Sequence, residues 1–500
     1  MGVERGHRAG SLGARFPPIA RTALNSRPKL SVNLAWLYAG NLVAKVLSMV
    51  AFIYLMRTLS MSSYGDLEFA FSVWFVLNLV QDAGLAPWGL REAARHPEQT
   101  PRIAATLIAL RTVSAGFSLM VLAAILFALD RPPAATATAA LFGAVLAVSP
   151  GLLSWAFQAR DESHIPAMTE IVRYGLFSIV VFGLVRGPQD VYYVPVAEFL
   201  GVVGVVTIHH VLLRRRIGRI DFTGVLRRAR QAVPVALPFA LSSLSWALRT
   251  NAPLLALYLY VDSETTGHFA AGHRIIVAGH VFVWLYIFNL MPSLTRAAAD
   301  PDRTAYRKLI GTSLRVSSWA VLPGCLALSL LAPFLLPTLA GEKFLPGAAS
   351  FSILVWLLPA GLFALHMRYA LQAFDGQRDE FIAIAAATLA TIGVLVGFGS
   401  DLSIEIAAAT LPLSELLTIA VGALLLGRRA EPPRALLHAV RPLLVTAAAY
   451  VVAVLAAPGQ PILATGIGLA VCALGLVLVD RGLIGEAKAF VVQLRAAKNS

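Results

Sequence analysis

Long apolar runs recur about every 30 residues along this chain, each long enough to cross a bilayer. A helix rising 1.5 Å per residue needs about 20 apolar residues to span a hydrocarbon core of roughly 30 Å. Fourteen such helices are predicted, near 31–56, 67–90, 104–129, 137–158, 165–186, 191–213, 231–260, 265–293, 309–337, 349–373, 380–398, 402–426, 438–457 and 461–479. Only 14% of the 500 residues are charged and 58% are hydrophobic, with mean hydropathy +0.73. A soluble chain carries about 25% charge. The expected fold class is all-α, a polytopic membrane protein with about 14 transmembrane helices.

The net charge of +14 would suit nucleic acid, but its distribution excludes that partner. With the N-terminus placed in the cytoplasm, 30 Lys and Arg fall in cytoplasmic tails and loops. Four lie on the opposite side (Arg57, Arg131, Arg186 and Lys343), and seven lie within helices. This positive-inside bias places both termini in the cytoplasm of a cell that keeps the chain in its inner or plasma membrane. The run from Arg214 through Arg230 then reads as a connector meeting anionic membrane lipid. Cys325 and Cys472 both fall within predicted helices, so neither a structural disulfide nor metal spacing is expected.

An internal repeat organises the helices. Tyr54-Leu55 closes helix one and Tyr258-Leu259 closes helix seven, 204 residues on. Gly65 and Gly267 follow in short external turns, and Phe157-Gln158-Ala159 in helix four matches Leu371-Gln372-Ala373 in helix ten. Six helices per half is an even number, so the halves share one orientation. Parallel repeats related by an axis along the membrane normal place a binding site between them. The expected organisation is a basic cytoplasmic tail (1–30), an N-terminal six-helix bundle (31–213), a basic linker (214–230), a C-terminal six-helix bundle (231–426), helices thirteen and fourteen (438–479) and a cytoplasmic tail (480–500).

The seven intramembrane cations are the functional clue, because one at the bilayer centre costs roughly 2.5–3.5 kcal/mol. Lys45 and Arg249 are separated by 204 residues, as are Arg111 and Arg315. Together with Arg274, these four are expected to line a cationic cavity suited to an anionic substrate. Arg supplies a planar fork matched to phosphate oxygens, and Lys a compact charge. Arg173 has Glu170 one turn before it, which favours an internal ion pair; Arg368, near a helix end, is expected to snorkel to the surface. Asp82, Glu198 and Glu415 are either coupling sites for H⁺ or Na⁺ or partners for the arginines.

Weaker signals remain. His268, His273 and His280 share helix eight, either as a proton relay or as a satisfied polar face. Gly393 and Gly397 form a small-xxx-small pair that suits close helix packing. Pro234, Pro238 and Pro253 punctuate helix seven. Asp300-Pro301-Asp302 reads as a helix-start turn. Phosphate-loop, H-E-x-x-H and G-x-S-x-G motifs are missing, so no catalytic residues, metal or cofactor are expected.

Ala39-Gly40-Asn41 through Tyr54-Leu55, Ser63-Tyr64-Gly65, and Asp82-Ala83-Gly84-Leu85 followed by Arg91-Glu92 carry a family resemblance. Thr266 through Ala271 and Leu371-Gln372-Ala373 echo it in the second half. The chain resembles the polysaccharide biosynthesis or O-antigen flippases of the multidrug/oligosaccharidyl-lipid/polysaccharide exporter (MOP) superfamily. That resemblance implies a V-shaped pair of six-helix bundles that alternates access. It also implies a polyprenyl-diphosphate-linked glycan as cargo, moved to the outer leaflet under an ion gradient or membrane potential, with glycosyltransferases or a glycan polymerase as partners. A multidrug or cation antiporter of the same superfamily is the alternative, and favours acidic rather than basic cavity groups. A membrane-embedded glycosyltransferase or polymerase is the alternative from another class, and would call for a large external loop.

Overall fold

The computed structural model describes residues 27–129, 131–299, 302–429, 436–483 and 485; the N-terminal tail and most of the C-terminal one lie outside them. Fourteen long helices run up and down in chain order. The first six are α1 (Arg27–Thr58), α2 (Met61–Asp82), α3 (Thr100–Ala128), α4 (Pro133–Val148), α5 (His164–Leu184) and α6 (Tyr193–Arg216). The next six are α7 (Val225–Tyr260), α8 (Ser263–Ala298), α9 (Thr304–Leu330), α10 (Leu357–Ala373), α11 (Gln377–Phe398) and α12 (Ile404–Arg429). A hairpin of α13 (Leu437–Ala456) and α14 (Pro461–Val479) completes them. Thirteen are long and apolar enough to cross a membrane by length and composition, and the 36-residue α8 stands at the eighth expected span. The described residues contain no strand.

Local chemistry places the helix starts. Ser60 caps α2 by accepting from the Ser63 amide at 3.2 Å, and Asp262 caps α8 by accepting from the Thr265 amide at 2.7 Å. Each satisfies an amide that the first turn leaves unpaired. The caps stand at equivalent repeat positions, so Gly65 and Gly267 fall inside α2 and α8, just past their first turns, and not in the turns before them. These two glycines pack against each other's helix backbone, where any side chain would collide. Repeat-equivalent residues in direct contact mark the two-fold axis between the halves.

α2 is the central element. It packs on α3 and α4 in its own half and on α7 and α8 in the other. It ends at Ala83 and Gly84, both left-handed, and resumes as a short amphipathic helix, Leu85–Arg95. The two-fold is broken in the packing: α2 lies along α7, whereas the equivalent pair α8 and α1 meets over a short stretch only. The α13–α14 hairpin packs on α9.

Some expectations change, and the helix-start role of Asp302 holds. The segment 214–230 is mostly helical, because α6 ends at Arg216 and α7 begins at Val225. In the remaining loop, Asp221 accepts from the Thr223 amide at 2.9 Å and from Arg102 Nε at 2.7 Å. The Thr223 hydroxyl and then Arg102 hold that carboxyl below the usual carboxylate range. Gly393 and Gly397 have nothing within 4 Å of where a Cβ would sit, so they make no close helix packing. The three prolines lie inside an unbroken α7. Asp302 accepts from the Thr304 amide at the start of α9, and Asp300 and Pro301 lie outside the described residues.

Candidate functional site

The helices carry their buried cations to acids that lie far away in sequence. Arg274 of α8 makes a two-pronged pair with Glu68 of α2, both bonds at 2.6 Å. Its guanidinium lies 3.5 Å above the Phe52 ring of α1 and 4.4 Å from that of Phe71. A side chain from the second half is thus plugged between two helices of the first. Arg249 of α7, 2% exposed, donates to Glu415 at 2.6 Å and to the Thr418 hydroxyl at 2.9 Å, both on α12. Arg111 of α3 donates to Asp82 and to the Leu152 carbonyl. Arg173 of α5 pairs with Glu198 of α6, and Glu170 stands at 3.7 Å.

Arg315, the repeat equivalent of Arg111, finds its acid outside the repeat. Asp480, just past α14, accepts from Arg315 and from Trp319 Nε1 at 2.8 Å. Arg368 does not snorkel: its Nε donates to Glu380 at 2.8 Å, and Gln372 donates to the same carboxylate. The expected cationic cavity is therefore largely a set of ion pairs. Glu68, Glu380 and Asp480 were not foreseen in this role. Each lies at or near the end of an expected span, where a carboxylate reads as solvated.

Lys45 differs from all of these. It lies about 20 Å from the Thr58 end of α1 by helical rise. It is exposed and has no hydrogen bond or ion pair among the described residues. Glu170, Arg173 and Glu198 of the first half act on its ammonium, and so does Arg274 of the second. Arg274 acts on it from its place over the Phe52 ring, so Lys45 lies close to the junction of the halves. Counting Glu68, the recess there holds three cations and three carboxylates, and Lys45 is the cation without a direct partner.

The face bearing the α1–α2 and α7–α8 turns is sealed across the junction. Arg57 donates to the Leu339 and Thr338 carbonyls at 2.9 and 2.5 Å, and Lys343 reaches back to the Arg57 and Leu59 carbonyls. Arg131 donates to the Tyr258 carbonyl at 2.7 Å, and the Tyr258 hydroxyl donates to Asp66 at 2.8 Å. Phe69 stacks on Tyr258 with ring centres 3.8 Å apart. Three of the four cations expected on this side thus tie one half to the other. The combined Arg57→Ala and Lys343→Ala variant should loosen this face. A Ser63→Cys probe should then react with an impermeant maleimide roughly tenfold faster, as losing charge-assisted bonds implies. Cys325 and Cys472 are buried and keep the background low. An unchanged rate would show that these ties do not hold the face shut.

Two like-oriented six-helix halves with charged groups at their junction match the parallel-repeat arrangement found among membrane transporters. Residues 30–298 match the model of the polysaccharide biosynthesis protein family, and the chain belongs to that family. Solved structures share its fold. The lipid II flippase MurJ in an inward closed conformation aligns with TM-score 0.63 at 11% identity, over 90% of this chain and 99% of that one. An inward-facing multidrug resistance MATE family transporter of the MOP superfamily aligns with TM-score 0.63 at 17% identity, over 77% and 94%. An outward-facing MATE family transporter of that superfamily aligns with TM-score 0.52 at 17% identity, over 81% and 95%. No curated protein matches the sequence. The chain is a multi-pass membrane protein of the polysaccharide biosynthesis family with the fold that these structures share.

Proposed function

We propose that this protein flips a polyprenyl-diphosphate-linked oligosaccharide from the cytoplasmic to the outer leaflet of the cell membrane, for cell-surface polysaccharide. The bodies that move are the six-helix bundles 31–213 and 231–426. The basic face is the cytoplasmic one, with both termini on that side, by the positive-inside rule. The sealed opposite face supports an arrangement open toward the cytoplasm. The slight packing of α1 on α8 supports lateral access there for a lipid-borne cargo.

The observation that carries this reading is the unpartnered ammonium of Lys45 between the halves. A diphosphate keeps its charge throughout passage and needs a cation that is not already neutralised. Arg274 and Arg173 border the recess as paired cations, and a diphosphate can share their remaining N–H groups. Arg111, Arg249 and Arg315 act at a distance by holding their helices in register. Glycosyltransferases supply such a cargo and a polymerase consumes it. A coupling H⁺ or Na⁺ supplies the driving force.

Purified chain in proteoliposomes, supplied with a fluorescent polyprenyl-diphosphate oligosaccharide, tests the proposal. The label should become accessible on the far leaflet at a rate well above that of protein-free vesicles. Equal rates would sink it. A second reading, a multidrug antiporter, is favoured by the acids Glu170 and Glu198 that balance the recess charge. Export of a cationic dye by the same vesicles, without movement of the glycolipid, would select it.

A further inference from the structure

His280 stands at the midpoint of α8 and has no part in the proposed transport path. Its Nε2 is buried and has no hydrogen-bond partner among the described residues. It faces a small cavity enclosed by α7, α8, α10 and α12, walled also by Arg249, Glu415, Trp246, Thr250 and Ser414. The cavity has about 20 Å³ of room, which suits one water-sized body. Gly361 of α10 leaves space for the ring, since a Cβ there would fall on Nε2.

The charged groups that act on His280 are Glu415 of α12, Arg249 of α7 and Arg368 of α10. His273 and His366, from α8 and α10, are already engaged. His273 meets the Thr250 carbonyl at 3.0 Å, and His366 uses both ring nitrogens, toward Ser313 and the Leu362 carbonyl. Leaving a buried polar nitrogen unmatched costs about 1–3 kcal/mol. Here the unmatched nitrogen lies against Gly361, and the residue shares a small, mostly apolar cavity with the buried Arg249–Glu415 pair.

We infer that His280 and Glu415, with Arg249 as counter-charge, form a proton-binding site inside the second half, separate from the Lys45 recess. With a neutral imidazole the cluster carries one cation and one anion. One added proton either makes an imidazolium that competes with Arg249 for Glu415, or passes to Glu415 and leaves Arg249 without its counter-charge. Both outcomes weaken the tie between α7 and α12. α7 is also the helix along which α2 lies, so the loosened tie reaches the junction of the halves. A proton bound more tightly in one state shifts the population toward that state. The inference rests on the transporter class and not on the identity of the cargo.

The test uses the full chain in proteoliposomes without cargo, with the proton as the probe. In ¹⁵N-histidine spectra the His280 signal, identified by its loss in His280→Gln, should titrate between about pH 5 and 8. It should shift in Glu415→Gln. Spin labels on Ser63→Cys and Thr338→Cys should report a pH-dependent distance across the sealed face. That dependence should vanish in both His280→Gln and Glu415→Gln. If one variant fails to fold, the other and Gly361→Ala, which displaces the ring, carry the comparison. A His280 signal that stays constant with pH, or a pH-dependent distance that survives these substitutions, overturns the inference. Neither result bears on whether the vesicles move a glycolipid.

Discussion

Replacing Arg274 by Ala should be the most damaging single substitution at the junction of the halves. It strands Glu68, which is 2% exposed, without the guanidinium that donates to both of its oxygens. Breaking a buried pair from one side costs about 3–5 kcal/mol, because the remaining charge loses its partner and stays desolvated. That is a large share of a typical folding free energy of about 5–15 kcal/mol. The paired replacement Arg274→Met with Glu68→Leu removes both charges and keeps the volume, and such exchanges are often neutral. Thermal unfolding of the purified variants should therefore show a large loss for the single change and recovery for the pair. The recovered protein should also open its sealed face more readily, since the pair is a tie between α2 and α8. A single variant as stable as the parent would mean that Glu68 is protonated or solvated, and the tie would carry no energy.

The same pair shows what a sequence does and does not reveal. The spans and the repeat are legible because they are local or periodic. Apolar length marks a membrane helix but does not locate its start, which the caps at Ser60 and Asp262 set for α2 and α8. The pairing of Arg274 with Glu68 spans 206 residues and depends on how the two halves dock. Glu68 sits one residue inside an expected span, so it resembles a headgroup-level acid until α2 is seen to start at Met61. Asp480 is hidden for a similar reason, as it follows the last helix yet is 3% exposed. Gly393 and Gly397 show the opposite error. Their spacing is right for packing, but the helix face they occupy meets no neighbour. Depth along a helix can be read from residue counts, whereas the direction a side chain faces depends on the partner helix.

Lys45→Ala should cut delivery of surface glycan by roughly tenfold to a hundredfold while leaving the protein inserted and stable. Because Lys45 is exposed and unpaired, its removal strands no buried charge, and a change at such a position typically moves stability by less than about 0.5 kcal/mol. A charge-assisted hydrogen bond to a diphosphate contributes about 1.5–3 kcal/mol, which sets the expected loss of transport. Lys45→Arg keeps the charge and should retain part of the activity. Lys45→Glu reverses the charge beside Glu170 and Glu198 and should abolish it. Arg249→Ala is a poorer probe, because it leaves Glu415 buried without its counter-ion and confounds transport with folding. Surface glycan on cells relying on each variant, normalised to the amount of protein in the membrane, is the measurement. Normal glycan with Lys45→Glu would remove from the argument the cation at the junction that has no partner among the described residues. The recess would then count two cations, both already paired, against three carboxylates, and a cationic cargo would become the better reading.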